Sequence, residues 1–597
     1  ASLSRFKLAT VSGASGTTVV DDTGGPVIDG FVRPGLVSSL DRAGTVTWSF
    51  QLNRDGLDLQ EGQPYTISFW GRADKPRRIS VNLWQDRQPN RFGGFTGYAD
   101  LTTDWQQFSF VFRPSNPDPE HSRLSWNFGN STGVVALGEI ALQAGGVIAA
   151  PTEWTLARGV PLIDYKTTQV SVVRRDYAEF LGSIEAGHVA SMRRFLREDL
   201  GIRVPIWHSQ AQFGGWGGLV REMAGDAIDV HAYWKHPDFG GAGWSGTNWK
   251  VGNASMAGAG GVDPLTAFSF FRAPGKPFVM SEWNSGQPND YGAESLLMIA
   301  SYAAWQDWAG VFLFDYHSSG PYDRNRIEGF FSIDSHPTKM VTAPAAALLF
   351  RRAGTGPSEG DLMLAENATT LKLPRAMLWD EVASLGDGPT ATPIIKTWRD
   401  AGASRSAPLE GKVYSLFGNG VFPVASRSEI RTEKVWNSDT QQVRWDTFGS
   451  IYAVNAPRSK VAIGQVGGRK IDLDELQLTV EPSQSNFAAF SLSSLDGKPV
   501  VDSRSILLVA AGKAENVGMG WNADRSSVGT QWGSGPVQVE GIGSAVQLVT
   551  TAKRSRVWAL DVTGQQRSEV ASELKNGVLS FRIAPGLRTL WYQIDNS

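Results

Sequence analysis

Between residues 204 and 352 the sequence turns four times from a short apolar, β-branched run into a helical stretch. A chain that repeats strand then helix lays its strands parallel and covers them with the helices, so this region is expected to form a parallel α/β sheet. The strand-like runs are 204–210, 227–234, 277–284 and 310–317. Helical stretches follow them at 219–223, 264–272, 293–309 and 342–352. A longer helical pattern, 172–200, precedes the first run and stops at Gly201, a usual C-terminal signal.

The text on either side is different. Up to residue 148, alternating runs at 44–52, 64–70, 78–84, 105–112, 124–128 and 134–142 are punctuated by turn clusters such as Asp22-Thr23-Gly24-Gly25. That rhythm predicts a β-sandwich. After Gly354 the sequence is again β-rich, with one helix expected over 374–385 and strand-like runs at 450–454, 487–492, 505–510, 546–550, 556–561 and 589–594. A chain of 597 residues is too long for one core. The expected fold class is therefore multidomain α/β plus all-β, divided at 1–148, 149–353 and 354–597, with one or two sandwiches in the last part.

Composition narrows the chemistry. With 56 basic and 59 acidic residues, no global positive field exists to gather nucleic acid or anionic membrane, and neither is an expected partner. The longest apolar runs fall far short of the roughly 20 residues of a spanning helix. No N-terminal signal segment is visible, which reads as a mature or engineered chain. Zero cysteines exclude disulfides, thiolate metal sites and cysteine nucleophiles. Few charges, 66 glycines and 22 tryptophans suit turn-rich β-domains with aromatic surfaces, and an indole packs well on the flat C–H face of a sugar ring.

In parallel sheets, reactive groups gather at the carboxyl ends of strands. Strand alternation puts His208 and Gln210, His231 and Tyr233, Glu282 and Asn284, and Asp315 and His317 on one face there. Glu282 closes an apolar strand, where a charge is costly without a partner or a task. Ligation of a divalent metal by His208, His231, His317 and Asp315 is the weaker use of these groups, because no tight ligand spacing supports it. No phosphate loop, dinucleotide fingerprint or serine elbow occurs.

Two resemblances sharpen the reading. Tyr65-Thr66-Ile67-Ser68-Phe69-Trp70-Gly71-Arg72-Ala73, Trp105-Gln106-Gln107-Phe108-Ser109-Phe110 and Gly138-Glu139-Ile140-Ala141-Leu142 resemble the β-jelly rolls of family 4/9 carbohydrate-binding modules. The resemblance implies a sugar-facing surface, for which Trp84, Trp126 and Asn127 are candidates; it also allows a structural calcium, with no ligand set standing out and no other cofactor expected. Ser281-Glu282-Trp283-Asn284 resembles the seventh strand of retaining (β/α)8-barrel glycoside hydrolases, and Asp229-Val230-His231-Ala232-Tyr233-Trp234 their sixth. The stretch 231–349 is similar to a bacterial group of such hydrolases.

What the resemblance implies is a catalytic domain built on strands five to eight of a TIM barrel, a half-barrel. Glu282 would be the nucleophile, positioned by His231 and Tyr233. Trp234 and Trp283 would be platforms for sugar rings, and His208, Gln210, Asn284 and His317 partners of sugar hydroxyls. These barrels carry their general acid in an Asn-Glu pair on strand four, and this chain has no Asn-Glu dipeptide. Asp315 is the candidate acid/base instead. A half-barrel leaves two sheet edges, which a two-fold homodimer would close. The expected function is hydrolysis, retaining or inverting, of a β-linked polysaccharide from within the chain, by a secreted or periplasmic bacterial protein. A non-catalytic carbohydrate-binding protein is the alternative, and a structural surface protein a third.

Overall fold

Strand alternation in the N-terminal part builds two facing sheets, as a computed structural model of the protein shows. It describes residues 3–61, 63–86, 91–114, 117–146, 171–208, 210–212, 215–240, 243–259, 264–318, 320–353, 361–374, 407–418 and 435–597. The chain divides into two compact units, Ala1–Phe180 and Leu181–Ser597.

In the first unit, one antiparallel sheet runs Lys7–Thr10, Phe50–Arg54, Ser122–Asn127, Arg77–Gln85, Arg91–Leu101; the other runs Gln106–Phe112, Tyr65–Ala73, Gly133–Ala144, Gly35–Arg42, Ser15–Asp21. Most sequence neighbours lie in opposite sheets, Arg77–Gln85 and Arg91–Leu101 being paired within one, which gives the sandwich that the turn rhythm predicts, of the jelly-roll-like kind the resemblance implies. On Arg77–Gln85 the side chains of Ile79, Val81 and Leu83 enter the core, leaving Arg78, Ser80, Asn82 and Trp84 on the other face. Trp126 belongs to the core: it is fully buried, edge-on to Phe69 and Phe6.

At the centre of the second unit lie three parallel strands in the order Ile228–Trp234, Phe278–Ser285, Gly310–Leu313. The strand expected over 204–210 does not form among the described residues. Ile206 O does accept from Asp226 N, and Ala211 N donates to Asp229 O, so the segment runs beside the first strand. Its ladder is broken because the carboxylates of Asp226 and Asp229 take the backbone N–H groups of Ile206 and Gln210, and Gln210 adopts a left-handed φ of 58°. The third strand ends at Leu313, four residues short of expectation.

The helices fall close to the predicted stretches: Ser171–Arg194, continued by a π-turn at Phe195–Asp199, then Gly215–Glu222, Pro264–Ala267 with a 3-10 turn, Ser295–Trp305 and Pro337–Arg351. Every residue of Ser295–Trp305 is buried, which explains a helix that is apolar on all sides. It lies between the parallel sheet and a nine-stranded sheet from the C-terminal region.

That nine-stranded sheet is covered on both faces. Tyr452, Val454, Val461, Ile463 and Val509 point into the core shared with the helices, while Ala453, Ala462, Phe490, Leu508 and Ala510 point toward a five-stranded sheet. The expected C-terminal sandwich is therefore fused to the α/β layer by a continuous core, and Tyr452 meets Ser301 at 2.8 Å across it. Such two-sided burial is why 487–492 and 505–510 read as nearly continuous apolar runs. The helix expected over 374–385 lies outside the described residues apart from Pro374, which ends the strand Ala368–Pro374.

Candidate functional site

The first two central strands pair Val230 with Met280, and then His231 with Glu282. One extra residue, Ser281, is thus accommodated as a bulge, and a bulge re-aims side chains. Consecutive residues Ser281 and Glu282 consequently both reach His231. The Nε2 of His231 lies 2.8 Å from Ser281 Oγ and 3.2 Å from Asp229 Oδ2, and its Nδ1 lies 3.3 Å from Glu282 Oε2. The Tyr233 hydroxyl donates to that same Glu282 oxygen.

Asp229 is buried behind this pair. It accepts from Ser281 N at 3.0 Å and Ser281 Oγ at 2.8 Å, which fixes the bulge. Burial, the bond to Glu282 and the nearby charges of Glu282 and Asp315 push the Tyr233 phenol far above its usual range. Tyr233 therefore stays protonated and remains a donor. Asp315 follows the third strand, and its Oδ1 accepts from Ser318 Oγ at 2.9 Å.

The other candidates are spread around this centre. Gln210 meets Gln212 at 3.3 Å, and Gln212 in turn grips the backbone of His231. His208 sits 3.5 Å from Glu222, and burial followed by the charge of Arg221 lowers its pKa. His317 bonds Asp334 at 2.7 Å and the Gly320 carbonyl at 2.9 Å, so it braces its own loop. The three histidines and Asp315 do not converge, and among the described residues no group of three or more His, Asp or Glu is placed to hold a metal ion.

Trp234 and Trp283 are buried and offer no face to a sugar. Their indole N–H groups donate to Ala254 O at 2.7 Å and Ser295 O at 3.3 Å. Asn284 is buried too. Its amide donates at 2.5 Å to the carbonyls of Phe314 and Phe331, and its oxygen accepts from Lys339 at 2.7 Å. It holds the segment that carries Asp315. Strand alternation missed Ser281 because a bulge is invisible to a period of two, and missed Lys339 because it sits on a helix, Pro337–Arg351; Asp229 shares the phase of His231 and Tyr233 but stands near the start of its strand, away from the carboxyl end where reactive groups are sought.

A separate polar surface lies on the first unit, on the side of its first sheet that faces away from the core. Two rows cross four strands: Gln51, Asn127, Ser80, Tyr98 and Asn53, Ser125, Asn82, Thr96. Asn127 donates to Asn82 at 2.6 Å, and Asn82 donates to Thr96 at 2.7 Å. Asn53 Oδ1 and Ser125 Oγ are buried with no hydrogen-bond partner. Tyr98 is exposed and Trp84 half-buried at the margins. Of the three module candidates, Trp84 and Asn127 lie on this face and Trp126 on the opposite one.

Residues 37–132 match the family model of a carbohydrate binding domain, CBM_4_9. Among solved structures, the chain is similar to a CBM4 module at 26% identity, covering 24% of this chain and 86% of that one, with a TM-score of 0.20. It is similar to the N-terminal cellulose-binding domain of Cellulomonas fimi β-1,4-glucanase C at 18% identity, covering 22% and 90%, with a TM-score of 0.18. It is also similar to the family 11 carbohydrate-binding module of a cellulosomal cellulase of Clostridium thermocellum at 13% identity, covering 24% and 88%, with a TM-score of 0.18. No curated protein matches the chain. The family-model match thus supports a carbohydrate-binding domain of the 4/9 type at residues 37–132. Among the described residues no helix is long and apolar enough to cross a membrane.

Proposed function

With a carbohydrate-binding domain at residues 37–132, we propose that the chain is a polysaccharide hydrolase that carries its own binding module and uses Glu282 as nucleophile. The observation that supports this reading is the clamp on Glu282. A carboxylate near the carboxyl end of a parallel strand is oriented by a protonated tyrosine and an imidazole, and the imidazole is itself backed by a buried aspartate.

In a retaining reaction Glu282 attacks the anomeric carbon and forms a glycosyl ester, while Asp315 protonates the departing oxygen. Water then cleaves the ester and gives its proton to Asp315. Tyr233 steadies Glu282 throughout, since the phenol holds its proton. The polar rows of the module anchor the polymer through its hydroxyls, with Tyr98 and Trp84 as ring contacts. Such a substrate lies outside the bacterial cytoplasm, in the periplasm or the medium.

The active form of this reading is a two-fold dimer. Among the described residues the third central strand is a sheet edge, and it carries exposed Phe312 and Leu313. A second copy set against that edge would extend the parallel sheet and bring another carboxylate toward Glu282.

A non-catalytic carbohydrate-binding protein is the second reading. One observation favours it: among the described residues the parallel sheet has three strands where a closed barrel has eight. Reducing-sugar release from soluble β-glucans, mannans, xylans and agar, by the wild type and by Glu282→Gln, separates the two. Release that disappears in the variant supports the hydrolase. No release from any of them leaves the binding protein.

A further inference from the structure

Two aromatic rings stand far out of the surface on the loops that follow the two strands flanking the strand of Glu282, and each is braced from behind. Trp244, on the loop after the first central strand, is 71% exposed. Its indole packs on Phe239 with centroids 4.7 Å apart, on His236 at 6.0 Å and on Phe330 at 6.2 Å. His236 in turn meets Tyr233 edge-on at 5.2 Å. Trp244 is therefore two ring-to-ring steps from the phenol that holds Glu282.

The bracing continues into the C-terminal region. Phe330 is wedged against Trp249 at 5.0 Å and Trp532 at 6.0 Å, and Trp249 stacks on Trp532 at 5.6 Å. Trp532 belongs to the loop between the strands Ala514–Val517 and Ser534–Val539. Buried Asn516 fastens that hairpin to the loop after the third strand. It accepts from Ile327 N at 2.8 Å and donates to the carbonyls of Ile327 and Trp532, each at 2.7 Å. Arg525 adds a two-point bond to Asp290, at 2.7 and 3.0 Å.

Tyr322, on the loop after the third strand, is 77% exposed. It stacks face to face on His317, 4.0 Å away with planes 16° apart. His317 cannot swing, because Asp334 and the Gly320 carbonyl hold its two nitrogens, and Arg324 bonds Asp334 at 3.2 Å. Trp244 thus belongs to the loop after the first central strand and Tyr322 to the loop after the third, with Glu282 on the strand between them.

We infer that Trp244 and Tyr322 are sugar platforms on either side of Glu282, binding pyranose units of one polysaccharide chain that crosses the strand ends. This rests on the reading of Glu282 given above and assigns its substrate as an extended chain. A large apolar ring costs free energy in water, and holding it rigid before the ligand arrives removes the ordering cost of binding. The C-terminal hairpin gains a task by the same argument: it stiffens the floor under Trp244. The carbohydrate-binding module in the same chain supplies the ligand class.

Hydroxyl-radical footprinting of the full Glu282→Gln chain tests this, with cellohexaose, mannohexaose, xylohexaose and laminarihexaose as probes. Peptide mapping reads Trp244 and Tyr322 separately from the module, and Phe448, exposed elsewhere, is the reference. At a probe concentration about ten times its Kd, labelling of both rings is expected to fall roughly tenfold while Phe448 is unchanged. Protection by none of the four probes overturns the inference, as does protection of one ring alone. Protection that follows protein concentration instead of sugar assigns the rings to a second copy and also overturns it. Protection without reducing-sugar release by the wild type keeps the platforms and removes the hydrolase; release without protection does the reverse.

Discussion

His231 and Glu282 face each other across the first two central strands, 3.3 Å apart, because one inserted residue shifts the register between Val230 and His231. In an unbulged ladder Ser281 would stand opposite His231, and Glu282 would be turned toward the other side of the sheet. The shared Glu282 oxygen then gives the first prediction. Tyr233→Phe removes one donor to a carboxylate, an interaction worth about 1.5–3 kcal/mol. The expected loss is roughly tenfold to a hundredfold in kcat/KM on whichever polysaccharide releases reducing sugar, with the thermal midpoint little changed.

Glu222 is wholly buried on the helix Gly215–Glu222, and burial pushes its carboxyl up from 4.5 to about 7. A raised acid binds its proton more tightly folded than unfolded, so stability is greatest below the unfolded value and falls as pH climbs from about 4.5 to about 7. The loss amounts to roughly 3 kcal/mol. Glu222→Gln should flatten that slope and unfold at higher urea than the wild type at pH 8, read by hydrogen exchange within residues 181–597.

Lys339 is buried with Asn284 Oδ1 and the Ser285 carbonyl at 2.7 and 2.8 Å, and burial holds its amine well below the ordinary range. Here the unfolded chain binds the extra proton, so this group's contribution to stability rises with pH toward 10.5, the unfolded value. Urea midpoints between pH 8 and 10 should rise in the wild type and rise less in Lys339→Met. Equal slopes would contradict an amine whose pKa burial lowers.

The two faces of the module sheet should behave oppositely. Trp126→Ala opens a cavity in the core and is expected to cost about 3–5 kcal/mol, measurable as a lower midpoint for unit one. Tyr98→Ala lies on the polar face and should leave that midpoint nearly unchanged. It should weaken retention of the chain on a polysaccharide gel by about tenfold, or about 1.4 kcal/mol.

If the edge strand Gly310–Leu313 meets a second copy, light scattering gives twice the chain mass and Phe312→Asp restores the single mass with loss of activity. Phe312 is 49% exposed, so the substitution spares the core. A single mass with full activity in the wild type removes the dimer.

Local pattern was enough for much of the fold. The sandwich strands of the N-terminal module, two of the central strands and the long helices follow from period and composition, since a half-buried strand or an amphipathic helix writes its burial into the sequence. Glu282, His231 and Tyr233 were legible for a related reason: charges and imidazoles that end apolar strands stand out against them. Which face an aromatic residue takes was not legible. Trp126, Trp234 and Trp283 are core, and Trp244 and Tyr322 are surface, because packing partners on other elements decide whether an aromatic ring is covered. The bulge at Ser281 and the buried Lys339 beside Asn284 likewise belong to tertiary structure. Each depends on a hydrogen bond between distant segments, Asp229 to Ser281 and Lys339 to Asn284, and no local period records such a bond.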